Sequence, residues 1–210
     1  MTAHSSCMTN QAMKLLTLMD DRAGHFRAAS SELVVNQKIG SDMQTLHAGA
    51  RTSGGTRPQL LGEILGSVLL PADVIRHSGA LAEVFFSAAE ECEFGGDPVE
   101  TYAIPPWASR NSAAWLPNLA ELGYRRAEGG YRGRDEQLVA TASVDMHTDE
   151  EGLVLMVVLH NQGLTFRQGK VRHKPQAGDW FVFDDRLPHG VDAAPGRATF
   201  IGWNIPIIPA

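Results

Sequence analysis

Cysteine is almost missing from this chain. Cys7 and Cys92 are the only two in 210 residues, far apart and outside any CxxC, so neither a disulfide framework nor a thiolate zinc site is available to organise the fold. Long apolar runs are also lacking. No window approaches the roughly 20 apolar residues of a membrane span, and no basic segment at the N-terminus leads into an apolar stretch. These absences predict a soluble, cytoplasmic protein with no membrane partner. Positive charge is in deficit as well: 18 Lys and Arg stand against 24 Asp and Glu, a formal charge of -6. That balance argues against a broad phosphate-binding surface and hence against nucleic acid as a partner. Arg125, Arg126, Arg132 and Arg134 form only a modest local cluster.

No repeat of fixed period and no low-complexity linker divides the chain. A hydrophobic content of 43% and a charged content of 20% are ordinary globular values, so residues 1–210 read as a single domain with a substantial core. Within it, residues 1–134 read as a mainly helical support region and 135–207 as a strand-rich core. Gln11–Asp20 suggests a short helix, residues 27–47 a helix or strand around Leu33–Val35, and 48–58 a loop by composition. Ala72–Cys92 is the clearest helix, with Pro71 at its start and Val74, Ile75, Leu81, Val84, Phe85 and Ala88 on one face. A Pro-rich turn at Pro105–Trp107 leads to a second helix expected over Asn111–Leu122, stopped by Gly123.

From Gln137 the pattern changes to strands. Gln137–Met146 alternates, placing Val139, Thr141, Ser143 and Asp145 on the side of His147, and Leu138, Ala140, Ala142, Val144 and Met146 on the other. Leu153–Leu159 is a continuous apolar run, as in a strand covered on both faces. Leu164–Phe166, Trp180–Phe183 and a final strand from Arg197 to about Ile205 follow, separated by turns. Short strands after a helical first half predict a mainly β fold with flanking helices: a two-sheet jelly roll in the C-terminal half, with helices from the N-terminal half packed outside it.

The chemistry-bearing residues lie in this last third. In an extended strand, side chains two apart share a face, so His147 and Asp149 can both turn toward one ion while Thr148 faces away. His189 completes a set of two imidazoles and one carboxylate. Such a set on one face of an octahedron leaves three positions open, which suits a non-haem Fe(II) that must still bind a cosubstrate and dioxygen. Asp184 and Asp185 precede His189 and are candidates to orient it, although such a pair more simply caps a turn. His160 and His173 are competing ligands, each read as a polar strand-end residue. Tyr102, Trp107, Trp115 and Arg134 are possible substrate contacts, with the aromatics more simply core.

The stretch resembles the Fe(II)- and 2-oxoglutarate-dependent dioxygenases, whose motif is His-x-Asp, a distant His, and a basic residue shortly after it. Here these are His147, Asp149, His189 and Arg197, and the likeness covers residues 135 to 207. It implies a double-stranded β-helix, iron held by His147, Asp149 and His189, and 2-oxoglutarate anchored through its distal carboxylate by Arg197 with help from the Thr199 hydroxyl. It also implies ascorbate as a possible reductant, and oxidation of a C–H bond with release of succinate and CO2. Two features depart from the motif: Arg197 follows His189 by only eight positions, and the interval from His147 to His189 is compact. The expected substrate is a small molecule such as a free amino acid or a natural-product intermediate. Two alternatives stand beside this reading: a cupin-like metalloenzyme that does not use 2-oxoglutarate, and a non-catalytic metabolite-binding jelly roll.

Overall fold

The structure, a computed structural model, describes residues 61–91, 99–127, 136–150, 152–196 and 198–210. The expected helix Gln11–Asp20, the segments 27–47 and 48–58, and the residues Arg132, Arg134 and Arg197 lie outside the described residues. In chain order the elements are β1 (Ile64–Ser67), α1 (Ala72–Glu91), β2 (Val99–Ala103), α2 (Pro106–Ser109), a 3-10 turn (Ser112–Ala114), β3 (Tyr124–Arg126), β4 (Gln137–Thr141), β5 (Val144–His147), β6 (Leu153–Asn161), β7 (Thr165–Gln168), β8 (Val171–His173), β9 (Asp179–Asp184), β10 (His189–Asp192) and β11 (Phe200–Pro209).

The strands pair antiparallel in two sheets. The larger runs β1-β9-β6-β11-β4-β2, with β3 also paired to β11, and the smaller runs β5-β10-β7-β8. From β4 to β11 the chain changes sheet at every step except the β7–β8 hairpin. That winding is a double-stranded β-helix, the jelly-roll core expected from the strand pattern.

β6 shows why the two layers form. Its apolar residues alternate between two cores: Leu155, Val157 and Leu159 face outward and pack with Val74, Leu81, Ala82 and Phe85 of α1. Val154, Met156 and Val158 face inward, toward Phe166, Phe181, Phe183 and Phe200. A strand buried on both faces needs no polar alternation, so the run reads as uniformly apolar. α1 is also tied to the sheet by a hydrogen bond, with Ser78 Oγ donating to the Leu159 carbonyl at 3.1 Å.

Three expectations change. The segment Asn111–Leu122 is not a helix: only a 3-10 turn at Ser112–Ala114 forms, entered through Asn111 in the left-handed region at φ 57°. Pro117 supplies the reason, since it lacks an N–H and disfavours helical backbone in the residue before it. Helix instead occupies Pro106–Ser109, where a turn was expected. The strand Gln137–Met146 is two strands on different sheets, broken at Ala142–Ser143. The Thr141 hydroxyl makes the break, donating to the Ser143 carbonyl at 2.7 Å and accepting from the Ser143 N–H at 3.1 Å, so the backbone turns rather than continuing the ladder.

Candidate metal centre

His147 ends β5 and His189 begins β10, and the antiparallel register sets them directly opposite each other. Their ring centroids are 4.3 Å apart. One step further along, Val191 is opposite Val144, so three steps on β5 match two on β10, a β-bulge. The bulge brings β5 backbone close to Gly190. A Cβ there would lie 2.8 Å from the Val144 carbonyl oxygen and 3.2 Å from that of Asp145, so glycine is required by space at this position.

Both rings are fixed in the same way. His147 Nδ1 lies 2.8 Å from the Asp145 carbonyl oxygen and His189 Nδ1 lies 3.0 Å from that of Leu187. A carbonyl can only accept, so each Nδ1 carries the proton and each Nε2 keeps its lone pair for an electrophile. Burial pushes the His189 imidazole below its ordinary value, which favours the neutral ring that a metal requires.

Asp149 completes the cluster. Its Oδ2 is 3.6 Å from His147 Nε2, and one ligand atom from each of His147, Asp149 and His189 lies within 4.8 Å of the others. Backbone bonds hold the carboxylate's loop: Asp149 N–H donates to the Asp185 carbonyl at 2.8 Å, and Asp185 N–H to that of Gly152 at 2.9 Å. Two neutral imidazole nitrogens and one carboxylate suit a divalent transition metal with coordination positions left for other ligands. The donor set therefore fits iron.

The Asp pair before His189 does not orient it through Nδ1. The Asp184 carboxylate accepts from Arg186 Nε and from one Arg186 terminal nitrogen, each at 2.8 Å, and this pairing holds it below the usual carboxylate range. Asp185 is buried, and its Oδ1 lies 3.7 Å from His189 Nε2, on the metal-facing side of the ring. His160 and His173 stand apart from the cluster, and His173 Nε2 meets the Gly62 carbonyl at 2.6 Å.

His147, Asp149 and His189 line a cavity of about 170 Å³ between the sheets. Val99 and Thr101 of β2, Gln137, Val139 and Thr141 of β4, Met156 of β6, Phe183 of β9, and Phe200 and Asn204 of β11 form the wall supplied by the larger sheet. The alternation expected in β4 therefore puts Val139 and Thr141 on the ligand side. It fails at the break, where Val144 lines the cavity and Ser143 does not: the turn shifts the side-chain phase by one position, and the bulge between Val144 and His147 shifts it back, so that His147 again faces inward.

Thr199 is fully buried, and its Oγ1 has no hydrogen-bond partner among the described residues. It is not brought to the cavity wall; Phe200, its neighbour, is. The backbone of Thr199 is instead held by Gln162, whose Oε1 accepts from the Thr199 N–H at 3.0 Å. Asn204 and Gln137 are cavity residues that motif reading missed. Their only sequence signal was strand parity, which is ambiguous by one residue until the register is known. Trp107 and Trp115 belong to the core on the far side of the larger sheet, as aromatics beside helices commonly do.

No protein-family model matches this chain, and no curated protein sequence matches it. Among solved structures it is similar to a Pseudomonas putida prolyl-4-hydroxylase, at 18% identity over 67% of this chain and 90% of that one, with a TM-score of 0.38. It is also similar to the nickel complex of the non-haem monooxygenase ThoJ, at 13% identity over 68% and 71% of the two chains, with a TM-score of 0.41. A cupin-2 domain protein from Shewanella frigidimarina matches 37% of this chain and 72% of its own, at 16% identity and a TM-score of 0.27. At scores this low the functional case rests on the chain's own residues.

Proposed function

We propose that this chain is an Fe(II)- and 2-oxoglutarate-dependent dioxygenase that oxidises a C–H bond of a small molecule. The observation that carries the proposal is the placement of His147 and His189 opposite each other on paired strands, both with Nδ1 bound to a carbonyl, and Asp149 within reach. His147, Asp149 and His189 would hold the metal. Iron with 2-oxoglutarate supplies activation of dioxygen, with succinate and CO2 released as the substrate C–H is oxidised.

The chain's own residues do the rest. The Asp145 and Leu187 carbonyls keep the imidazole protons away from the metal side, and Val139, Met156, Phe166, Phe183 and Phe200 give the cavity apolar walls that exclude water. Arg197 is the proposed partner of the distal carboxylate, because a guanidinium offers two parallel donors to it. A cavity of about 170 Å³ suits a small substrate, with a free amino acid or natural-product intermediate as the proposed class.

A second reading is a metalloenzyme of the cupin kind that does not use 2-oxoglutarate. It is favoured by one observation: among the described residues that line the cavity there is no Lys or Arg, and Thr199 is not one of them. A metabolite-library screen for substrate-stimulated succinate formation, under Fe(II), 2-oxoglutarate and ascorbate, separates the two. Turnover that requires 2-oxoglutarate supports the first reading, and oxidation that proceeds equally without it supports the second. Arg197→Ala should retain iron and weaken 2-oxoglutarate binding roughly 30- to 1000-fold, the loss of a charge-assisted bidentate pair. Anaerobic titration of the Fe(II)–oxoglutarate absorption band measures it, and equal dissociation constants would move the anchor to another residue.

A further inference from the structure

Asn204 of β11 and Gln137 of β4 are directly opposite each other in register. Both line the cavity that holds His147, Asp149 and His189. The Asn204 Oδ1 is buried and meets no hydrogen-bond donor among the described residues. A buried carbonyl oxygen without a donor is costly, so its place in a cavity wall calls for a donor from the occupant. Two neighbouring carboxamides offer donors and acceptors together, whichever way each amide is turned. Among the described lining residues the charged ones are Asp149 and Asp185, both acidic. The described lining therefore holds no cation that would pair with a carboxylate at the amide pair.

We infer that Asn204 and Gln137 form a recognition subsite for a neutral carboxamide group of the ligand. Its N–H donates to Asn204 Oδ1 and its C=O accepts from the Gln137 amide. The inference rests on the proposed oxygenase reading only in calling this ligand the substrate; the subsite itself is a property of the two strands. Thr101 lines the same cavity from β2, where it pairs with Val139, and adds a hydroxyl to this neutral polar wall.

The test uses full-length, metal-free protein and three probes of nearly equal shape: isobutyramide, isobutyrate and isobutylamine, compared by ligand-detected NMR titration. Isobutyramide should bind at least about fivefold tighter than the other two, and Asn204→Leu and Gln137→Leu should each erase that preference, as expected for a lost buried hydrogen bond. The isosteric Asn204→Asp keeps the shape of the wall and should transfer the preference to isobutylamine, which a merely structural role would not do. No binding of isobutyramide to the wild type, an unchanged affinity in Asn204→Leu, or a wild-type preference for isobutyrate or isobutylamine would each overturn the inference. Iron content is measured on separate metal-loaded samples, so failure of the metal centre and failure of the amide subsite are read independently.

Discussion

His147 and Asp149 are the part-exposed members of the proposed metal centre, with side chains 39% and 35% accessible. Replacing either by Ala therefore leaves little packing to lose and should act on metal binding. Each change is expected to weaken Fe(II) binding at least about tenfold, since two remaining donors hold a divalent ion much less well than three. Metal analysis after anaerobic loading checks this, and unchanged iron in both variants would remove the cluster as a metal site. His189 is different because its side chain is only 9% exposed and its ring lies beside Phe183. His189→Ala should lose iron and also destabilise the fold. The pairing of His147 with Asp149 was legible from a two-residue spacing at a strand end. The part exposure of that pair against the burial of His189 was not, because burial depends on which strands come to cover each residue.

At the scale of elements, the β5–β10 bulge sets the site. Gly190→Ala would press a methyl group against the Val144 and Asp145 carbonyls. It should destabilise the protein by about 1–3 kcal/mol and weaken iron binding together, because His147 and His189 flank the same contact. Urea unfolding and iron titration on one preparation test the coupling; a stability loss with full iron affinity would show that the bulge does not position the ligands. Asn161 provides a contrast remote from the metal. Its side chain donates to the Leu164 and Pro175 carbonyls and accepts from the Gly163 and Leu164 N–H groups, at 2.7 to 3.1 Å, closing the turn after β6. Asn161→Ala should cost about 2–3 kcal/mol by leaving part of that backbone unpaired, with metal affinity unchanged. The register of β4 up to Thr141 was readable from alternation. What followed was not, since one hydroxyl bonded to Ser143 ends the strand and Val144, rather than Ser143, turns into the cavity.

Over the whole molecule, burial lowers the proton affinity of His160 and His173, both away from the metal cluster. Their folded-state values lie below the ordinary 6.5, so between the two values the unfolded chain binds more protons than the native one. Stability from these groups is complete above about pH 6.5 and falls as pH drops below it. Asp184 works in a separate, more acidic window. Its folded value is depressed, so its contribution persists above the ordinary 3.8 and is lost only as pH falls below that value. Metal-free protein should therefore show a lower melting temperature at pH 5.5 than at pH 7.5, with the difference reduced in a His160→Gln, His173→Gln double variant. A flat profile across that range would mean that the two imidazoles protonate freely in the native state. Added Fe(II) should raise the melting temperature at pH 7.5 by mass action on the native state.

The sequence by itself determined the strand-rich last third, the helix behind Pro71 and the identity of the three metal-binding candidates, because these depend on local periodicity and on the chemistry of single side chains. The tertiary structure decided what depends on pairing between distant strands. It set His147 against His189, divided Gln137–Met146 between two sheets and turned Asn204 toward the cavity. A strand's alternation leaves its two faces interchangeable; only its partners fix which face is inside, and a bulge or turn reverses the assignment until a second irregularity restores it, as the break does for Val144 and the bulge for His147.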